Sequence, residues 1–263
     1  MSQSTWKDQI ALISGASSGI GAATAERLAK EGLHVILTAR RADRLEELAG
    51  RIRQAGGQAD VLMADLSTEA GRTDVYNYVM EHYKHLDVLI NNAGLAWFGY
   101  TSKMPWQVAH NELEVNVITL VQFTLLFLPV MEAQHSGHII NLSSIASATP
   151  QQGISIYAAS KAFVSSFSTS IYREMKGSGV FVSAVRPGPV SSEFFDSTRA
   201  REGSGSIPAE NMAVPPQRIA DAIWSLLRHP RRSITVPWYW GATALIEPLI
   251  GWALDWVGPI LLK

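Results

Sequence analysis

Tyr157 and Lys161 stand four residues apart in Tyr157-Ala158-Ala159-Ser160-Lys161, a spacing that puts both side chains on one face of a helix. A free phenol has a pKa of about 10 and ionises poorly near neutrality. A neighbouring ammonium favours the phenolate, each pKa unit of depression corresponding to about 1.4 kcal/mol. Such a tyrosine can give a proton to a developing alkoxide or take one from an alcohol. The same spacing also occurs on ordinary helix faces, so its surroundings decide its meaning. A second chemical cluster is Ser14-Gly15-Ala16-Ser17-Ser18-Gly19-Ile20-Gly21. It sits between an apolar run and a helix start, where missing Cβ atoms allow a tight turn and free N–H groups can meet a pyrophosphate. A purely structural turn is the alternative. Further on, Arg40 and Arg41 close a second apolar run, and their guanidinium groups suit forked contacts with a phosphate, unless they only begin a solvated basic helix.

These groups need elements to position them. Short apolar runs alternate with longer amphipathic ones. Strands are expected at 10–14, 34–39, 59–64, 87–91, 138–142, 180–185 and 233–236. Helices are expected at 19–31, 42–55, 68–82, 107–131, 157–176 and 216–228. Alternation on this scale, with nearly continuous apolar strands, implies a parallel sheet covered on both faces. Right-handed crossovers make it doubly wound. The expected fold is thus α/β, a Rossmann-like doubly wound parallel sheet in three layers, as a single domain over residues 1–263. No interdomain linker, internal repeat or low-complexity tract is visible. Residues 193–216, rich in Gly, Ser, Pro and charge and without a clear period, read as a substrate lid.

Composition removes several alternatives. The 263 residues contain no cysteine, which excludes disulfides, thiolate nucleophiles and Cys-ligated zinc. The 22 basic and 23 acidic residues nearly balance, against nucleic-acid binding by a basic surface. With 47% hydrophobic residues a disordered chain is excluded. The seven histidines lack metal-ligand spacing, so no metal is expected. Met1 to Asp8 is polar and has no apolar signal core, so the cytoplasm is the expected compartment. Val115 to Met131 is uncharged but slightly short for a membrane span and contains Asn116, Gln122 and Pro129; a buried helix is the better reading.

The glycine spacing G-x-x-x-G-x-G, preceded by Ser14, resembles the short-chain dehydrogenase/reductase family, whose usual form begins with Thr. The resemblance runs from residue 8 to about residue 195 in the expected order and implies the following. Gly15, Ser17, Ser18, Gly19, Ile20 and Gly21 cradle the dinucleotide. Position 39 offers no carboxylate for ribose hydroxyls, and Arg at position 40 goes with NADP(H), aided by Arg41. Asp65 and Leu66 contact adenine, with Asp65 as a helix cap the alternative. Asn92, Ala93 and Gly94, in Asn91-Asn92-Ala93-Gly94, let the cofactor lie over the sheet edge. Ser144, thirteen residues before Tyr157, polarises the substrate carbonyl, with Ser143 a competitor. Asn116 supports a water that links Lys161 to solvent, or else only holds a local bend. Pro187, Gly188, Val190 and Ser192 contact the nicotinamide, with Ser192 where the family often has Thr. Hydride then passes between nicotinamide and a carbonyl or carbinol carbon, with Tyr157 the acid in reduction and Lys161 binding ribose.

The substrate side is read from Leu95-Ala96-Trp97-Phe98-Gly99-Tyr100, Phe194, Phe195 and Met212. Trp97, with Ser144 and Tyr157, is a candidate substrate contact, and packing beneath the lid is its alternative. An apolar wall implies a bulky hydrophobic ketone, aldehyde or alcohol, so a carbonyl reductase or alcohol dehydrogenase is expected. A cofactor-binding regulator or scaffold, and a membrane-associated lipid or steroid-type dehydrogenase, are the alternatives. Together Asn116, Ser144, Tyr157 and Lys161 argue for an enzyme. The apolar segments 115–131 and 157–175 fit a homodimer or homotetramer. The tail 238–263 carries Trp238, Trp240, Trp252 and Trp256 with almost no charge. Pocket cover or oligomer interface is favoured over membrane contact, since interfacial anchors usually carry basic residues.

Overall fold

Seven apolar runs form seven parallel strands. The computed structural model describes residues 6–205 and 212–242. The strands are β1 (Ile10–Ser14), β2 (His34–Ala39), β3 (Gln58–Met63), β4 (Val88–Asn91), β5 (Gly137–Leu142), β6 (Val180–Pro187) and β7 (Ser233–Val236). Their order in the sheet is β3-β2-β1-β4-β5-β6-β7. The order reverses between β1 and β4, which pair directly through Ala11–Val88, Leu12–Leu89 and Ile13–Ile90. At such a reversal the two crossovers leave in opposite directions, and a crevice opens beyond the carboxyl ends of the strands. Central strands β1, β4 and β5 are buried almost throughout, as two helical layers require.

The helices are α1 (Gly19–Lys30), α2 (Ala42–Gln54), α3 (Glu69–His82), α4 (Trp106–Leu113), α5 (Thr119–Gln134), α6 (Ser155–Glu174), α7 (Phe194–Arg199) and α8 (Pro216–Arg228). One core layer joins Ala25, Leu28, Leu45 and Leu48 of α1 and α2 with Ile219 and Ile223 of α8 beneath the sheet. The other holds Val75 and Val79 of α3 against Phe123, Phe127 and Met131 of α5.

The expectation of one helix over 107–131 needs correction. Helical structure runs from Trp106 to Gln134, but a π turn at Glu114–Ile118 divides α4 from α5. Its wider hydrogen-bond spacing inserts a residue and re-aims the side chains around Asn116. The run is long and apolar enough to cross a membrane by length and composition, yet Phe123, Phe127 and Met131 are completely buried against the sheet. Of the segment 193–216 expected to be a lid, residues 206–211 lie outside the described residues. Its described part contains α7, and Val190 bridges Val214. Of the tail, Trp238–Ala242 forms a 3-10 turn; Trp252 and Trp256 lie outside the described residues.

Candidate active site

β1 ends on a hydroxyl that knots the two central strands. Ser14 Oγ donates to the Ile90 carbonyl at 3.2 Å and accepts from the N–H groups of Asn92 at 3.0 Å and Ala93 at 3.1 Å. Asn92 Nδ2 returns two bonds to the Ser14 and Gly15 carbonyls, at 2.9 and 3.1 Å. The turn after β1 and the turn after β4 are therefore one unit, which excludes side chains at its contacts. A Cβ on Gly15, whose φ is +66°, would stand 2.8 Å from Ala93 Cα, and one on Gly21 would stand 2.4 Å from the Gly15 carbonyl oxygen. α1 has no side-chain cap and no acidic residue in its first turn, so its leading N–H groups face the crevice uncapped.

Arg41 stands at the N-cap of α2, where it is partly exposed but also makes specific bonds. Its guanidinium donates to Ser17 Oγ at 3.1 Å, Ser18 Oγ at 3.0 Å and Glu193 at 2.8 Å, which ties α2, the glycine turn and the lid together. Arg40 is exposed and has no hydrogen bond or ion pair among the described residues. Asp65 is not a helix cap. It accepts from the N–H and hydroxyl of Ser67, while Thr68 caps α3 by accepting from Gly71. Burial pulls the Asp65 carboxyl upward, but the Ser67 bonds and the Arg40 charge outweigh it and hold it below its ordinary value.

The crevice opens into a cavity of about 700 Å³. Gly15, Ser17, Ser18, Gly19 and Ile20 line it, with Arg40, Arg41, Asp65 and Leu66 at the same end. Asn92, Ala93 and Gly94 come from the β4 turn, and Pro187, Gly188, Val190 and Ser192 from the β6 turn. Gly21 does not line it but packs directly behind Gly15. The glycine cradle, the uncapped helix and the arginine pair suit a dinucleotide with a phosphate on its ribose.

At the far end stand Tyr157, Lys161 and Ser144. Lys161 is buried, donates from Nζ to the Leu142 carbonyl at 2.8 Å, and lies 5.8 Å from the centre of the Tyr157 ring. Ser144 lines the cavity with Tyr157, and its Oγ accepts from Ala146 N–H at 3.1 Å. Ser143 turns the other way, donating to the Lys161 carbonyl at 2.8 Å and meeting Ser165 at 2.8 Å; it fastens β5 to α6. Asn116, on the π turn, accepts from Leu95 N–H at 2.7 Å and donates to the Leu95 carbonyl at 2.9 Å and to Ser160 Oγ at 3.1 Å.

The phenol is not lowered by the neighbouring amine. Burial pushes Tyr157 up to about 12, the Ser144 hydroxyl opposing and Glu112 adding to the rise. Burial likewise pulls Lys161 down to about 8, against Glu112. Desolvation thus dominates both shifts.

Trp97 takes the packing alternative, not the substrate contact, and one buried group, Glu112, was not foreseen. Trp97 is buried behind the wall and does not line the cavity. Its Nε1 donates to the Glu202 carbonyl at 2.9 Å, so it fastens the segment after α7 to the β4 turn. Glu112 is fully buried on α4, with both carboxylate oxygens unpartnered. Its spacing of four from Asn116 was the available signal, since it puts both on the inward face. The cavity wall itself is Phe98, Ile154, Phe194, Phe195 and Met212. The Phe194 ring lies 5.9 Å from Tyr157, and Trp240 of the tail lies over Gly188 and also lines the cavity.

A fold and site of this kind define a nucleotide-dependent oxidoreductase of the Rossmann type. The family model described as short chain dehydrogenase matches residues 9–203, and the chain belongs to that family. It is 35% identical over 228 residues to a probable NADP-dependent dehydrogenase of Haemophilus influenzae, covering 85% of this chain and 89% of that one. It is 34% identical over 229 residues to serine 3-dehydrogenase of Agrobacterium fabrum, covering 84% and 88%. Among solved structures, a short-chain dehydrogenase from Sphingobium yanoikuyae in complex with NADPH superposes with a TM-score of 0.80 at 30% identity, covering 94% of this chain and 96% of that one.

Proposed function

We propose that the protein transfers hydride between NADP(H) and a carbonyl or secondary alcohol of a fairly hydrophobic compound, as a carbonyl reductase or alcohol dehydrogenase. One observation carries this reading: Tyr157 and Ser144 line the same cavity as Phe98, Ile154, Phe194 and Phe195, with the Phe194 ring 5.9 Å from Tyr157. Bound NADPH supplies the hydride. Arg40 and Arg41 face the ribose phosphate, and Asp65 the adenine. Ser144 holds the substrate oxygen and Tyr157 protonates it as the alkoxide develops, a task suited to a phenol that stays protonated at neutral pH. Lys161 carries the compensating positive charge and relays a proton from solvent back to the Tyr157 phenolate, by way of the water that Asn116 would support. The wall excludes water from the reacting carbon. Tyr157, not a metal or a thiol, is the acid.

The Agrobacterium relative is named for serine, a small polar compound, so likeness alone does not carry the apolar reading; the aromatic wall does. The test is NADPH consumption with a carbonyl panel. Bulky apolar ketones and aldehydes are expected to give the higher kcat/KM, and similar turnover of small polar carbonyls would refute the preference. Exposed Leu125 on α5 and Phe163 and Tyr172 on α6 support assembly into a dimer or tetramer. Trp240 over Gly188 supports the tail as pocket cover in preference to membrane contact.

A further inference from the structure

Beside the aromatic wall the cavity is lined by the neutral polar residues Thr149, Gln151, Gln152 and Ser197, and residues 193–205 add one cation. Arg201, two residues beyond α7, lines the cavity beside Phe194, Phe195 and Met212. Its position is held closely. The next residue's carbonyl accepts from Trp97 Nε1 at 2.9 Å, Ser204 Oγ accepts from Phe98 N–H at 3.0 Å, and Gly205 N–H donates to the Phe98 carbonyl at 2.6 Å. Yet the guanidinium has no hydrogen bond or ion pair among the described residues, and its Nε is buried without a partner.

Of the other charged groups that line the cavity, Arg40 is exposed at the phosphate end and the rest are engaged. Arg41 pairs with Glu193, Asp65 accepts from Ser67, and Lys161 donates to Leu142. Two charged groups act on Arg201. Arg40, from the end of β2, repels it, and Glu112, from α4, attracts it without bonding to it. Burial pushes the Glu112 carboxyl up to about 8, so it is largely neutral at pH 7 and does not neutralise Arg201. Burial first, and then Arg40, lower the pKa of the guanidinium against the opposing effect of Glu112. A partly desolvated cation with no counter-ion among the described residues is costly, and a ligand that brings the anion offsets the cost.

We infer that Arg201 is the anion-binding residue of the substrate pocket, and that the substrate is an apolar carbonyl compound or alcohol bearing a carboxylate. The inference deepens the proposed function and rests on it for the identity of the cavity as a substrate site. The planar fork matches a carboxylate. The phosphate end of the cofactor has its own arginine pair, whereas the latch pins the Arg201 segment against Trp97 and Phe98, on the loop that leads away from the β4 turn. Wall and cation together specify an amphiphile: an apolar body against Phe194 and Phe195, an acid head on the lid, and the reacting carbon between them and Tyr157.

The test is binding, independent of turnover. The enzyme saturated with NADP+ is titrated calorimetrically with heptanoate and with heptanamide, which differ only in the charge of the head group. Heptanoate is expected to bind about 10–100-fold tighter. Arg201→Met is expected to abolish that preference, and Arg201→Lys to restore part of it, with NADP+ affinity within about twofold of the parent. Thermal melts check that each variant folds, and Arg201→Lys alone decides the matter if the Met variant does not. Equal affinities in the parent, or a preference that survives the substitution, would overturn the inference. A fall in NADP+ affinity with the heptanoate preference intact would assign the guanidinium to a cofactor phosphate and overturn it equally. A parent enzyme that reduces no carbonyl compound but still prefers heptanoate would sink the proposed function and leave the anion site standing.

Discussion

At the scale of single residues, the site separates two tasks that a short motif merges. Tyr157 holds a proton, because burial raises its pKa, while Lys161 holds a charge that burial makes easier to lose. Tyr157→Phe removes the proton and keeps the ring against Phe194. Turnover is expected to fall about 100–10,000-fold, with NADPH affinity unchanged by fluorescence titration; full turnover in the variant would refute the proton-donor role. The pH profile follows from the same groups. Below about 8 Lys161 is charged, and as pH rises through that value it loses its proton. Carbonyl reduction is therefore expected to hold level up to about pH 8 and decline above it, while alcohol oxidation, which needs the phenol to accept a proton, rises over the same range. Rates measured in both directions from pH 6 to pH 10 check this, and a reduction rate that climbs through pH 8 contradicts it.

At the scale of elements, the two turns after β1 and β4 form one cradle, and its tightest contact is at Gly21. An alanine there would place Cβ 2.4 Å from the Gly15 carbonyl oxygen and 2.6 Å from Asn92 Nδ2. Neither neighbour can yield without breaking the Ser14–Asn92 bonds. Gly21→Ala is expected to weaken NADPH binding at least about tenfold and to cost about 1–3 kcal/mol of stability, read from a binding titration and a urea melt. The parts of the site that depend on local spacing were legible in the sequence: the glycine turn, the Tyr157–Lys161 face, the arginines after β2, and the strands whose apolar runs are unbroken. The parts set by packing between distant segments were not. Residues 97 and 98 alternate in direction, and which of the pair faces the cavity follows from where Glu202 and Ser204 dock, a contact across about a hundred positions. Ser143 and Ser144 are alike in type, and only the approach of α6 turns one to structure and the other to Tyr157. The π turn has no signature in the apolar pattern, which continues through it. The cation on the lid was hidden because residues 193–216 have no period from which an inward face can be read.

At the scale of the whole molecule, two buried ionisable groups on opposite sides of the sheet's chemistry tilt stability in opposite directions with pH. His138, enclosed on β5 and bonded to Ser183 at 2.8 Å, is pulled down to about 3 by burial. It is neutral in the fold, while the unfolded chain takes up a proton below about 6.5, so stability is lost as pH falls from there toward 3. Glu112 behaves in the reverse sense. Burial raises it to about 8 from a model-peptide value of 4.5, so the folded state binds the proton more tightly. Its contribution is fully present below about pH 4.5 and is lost as pH rises toward 8, a change of roughly 3–5 kcal/mol as an upper bound. Glu112→Gln keeps the shape and removes the titration. The two proteins share His138 and every other group, so the difference between their unfolding free energies isolates position 112. Measured by urea melts at pH 5, 6, 7 and 8, that difference is expected to shift steadily in favour of the variant as pH rises. A difference that does not change with pH would mean that the carboxyl is ionised in the fold throughout and that Arg201 is already neutralised by it, in which case the anion site on the lid falls as well.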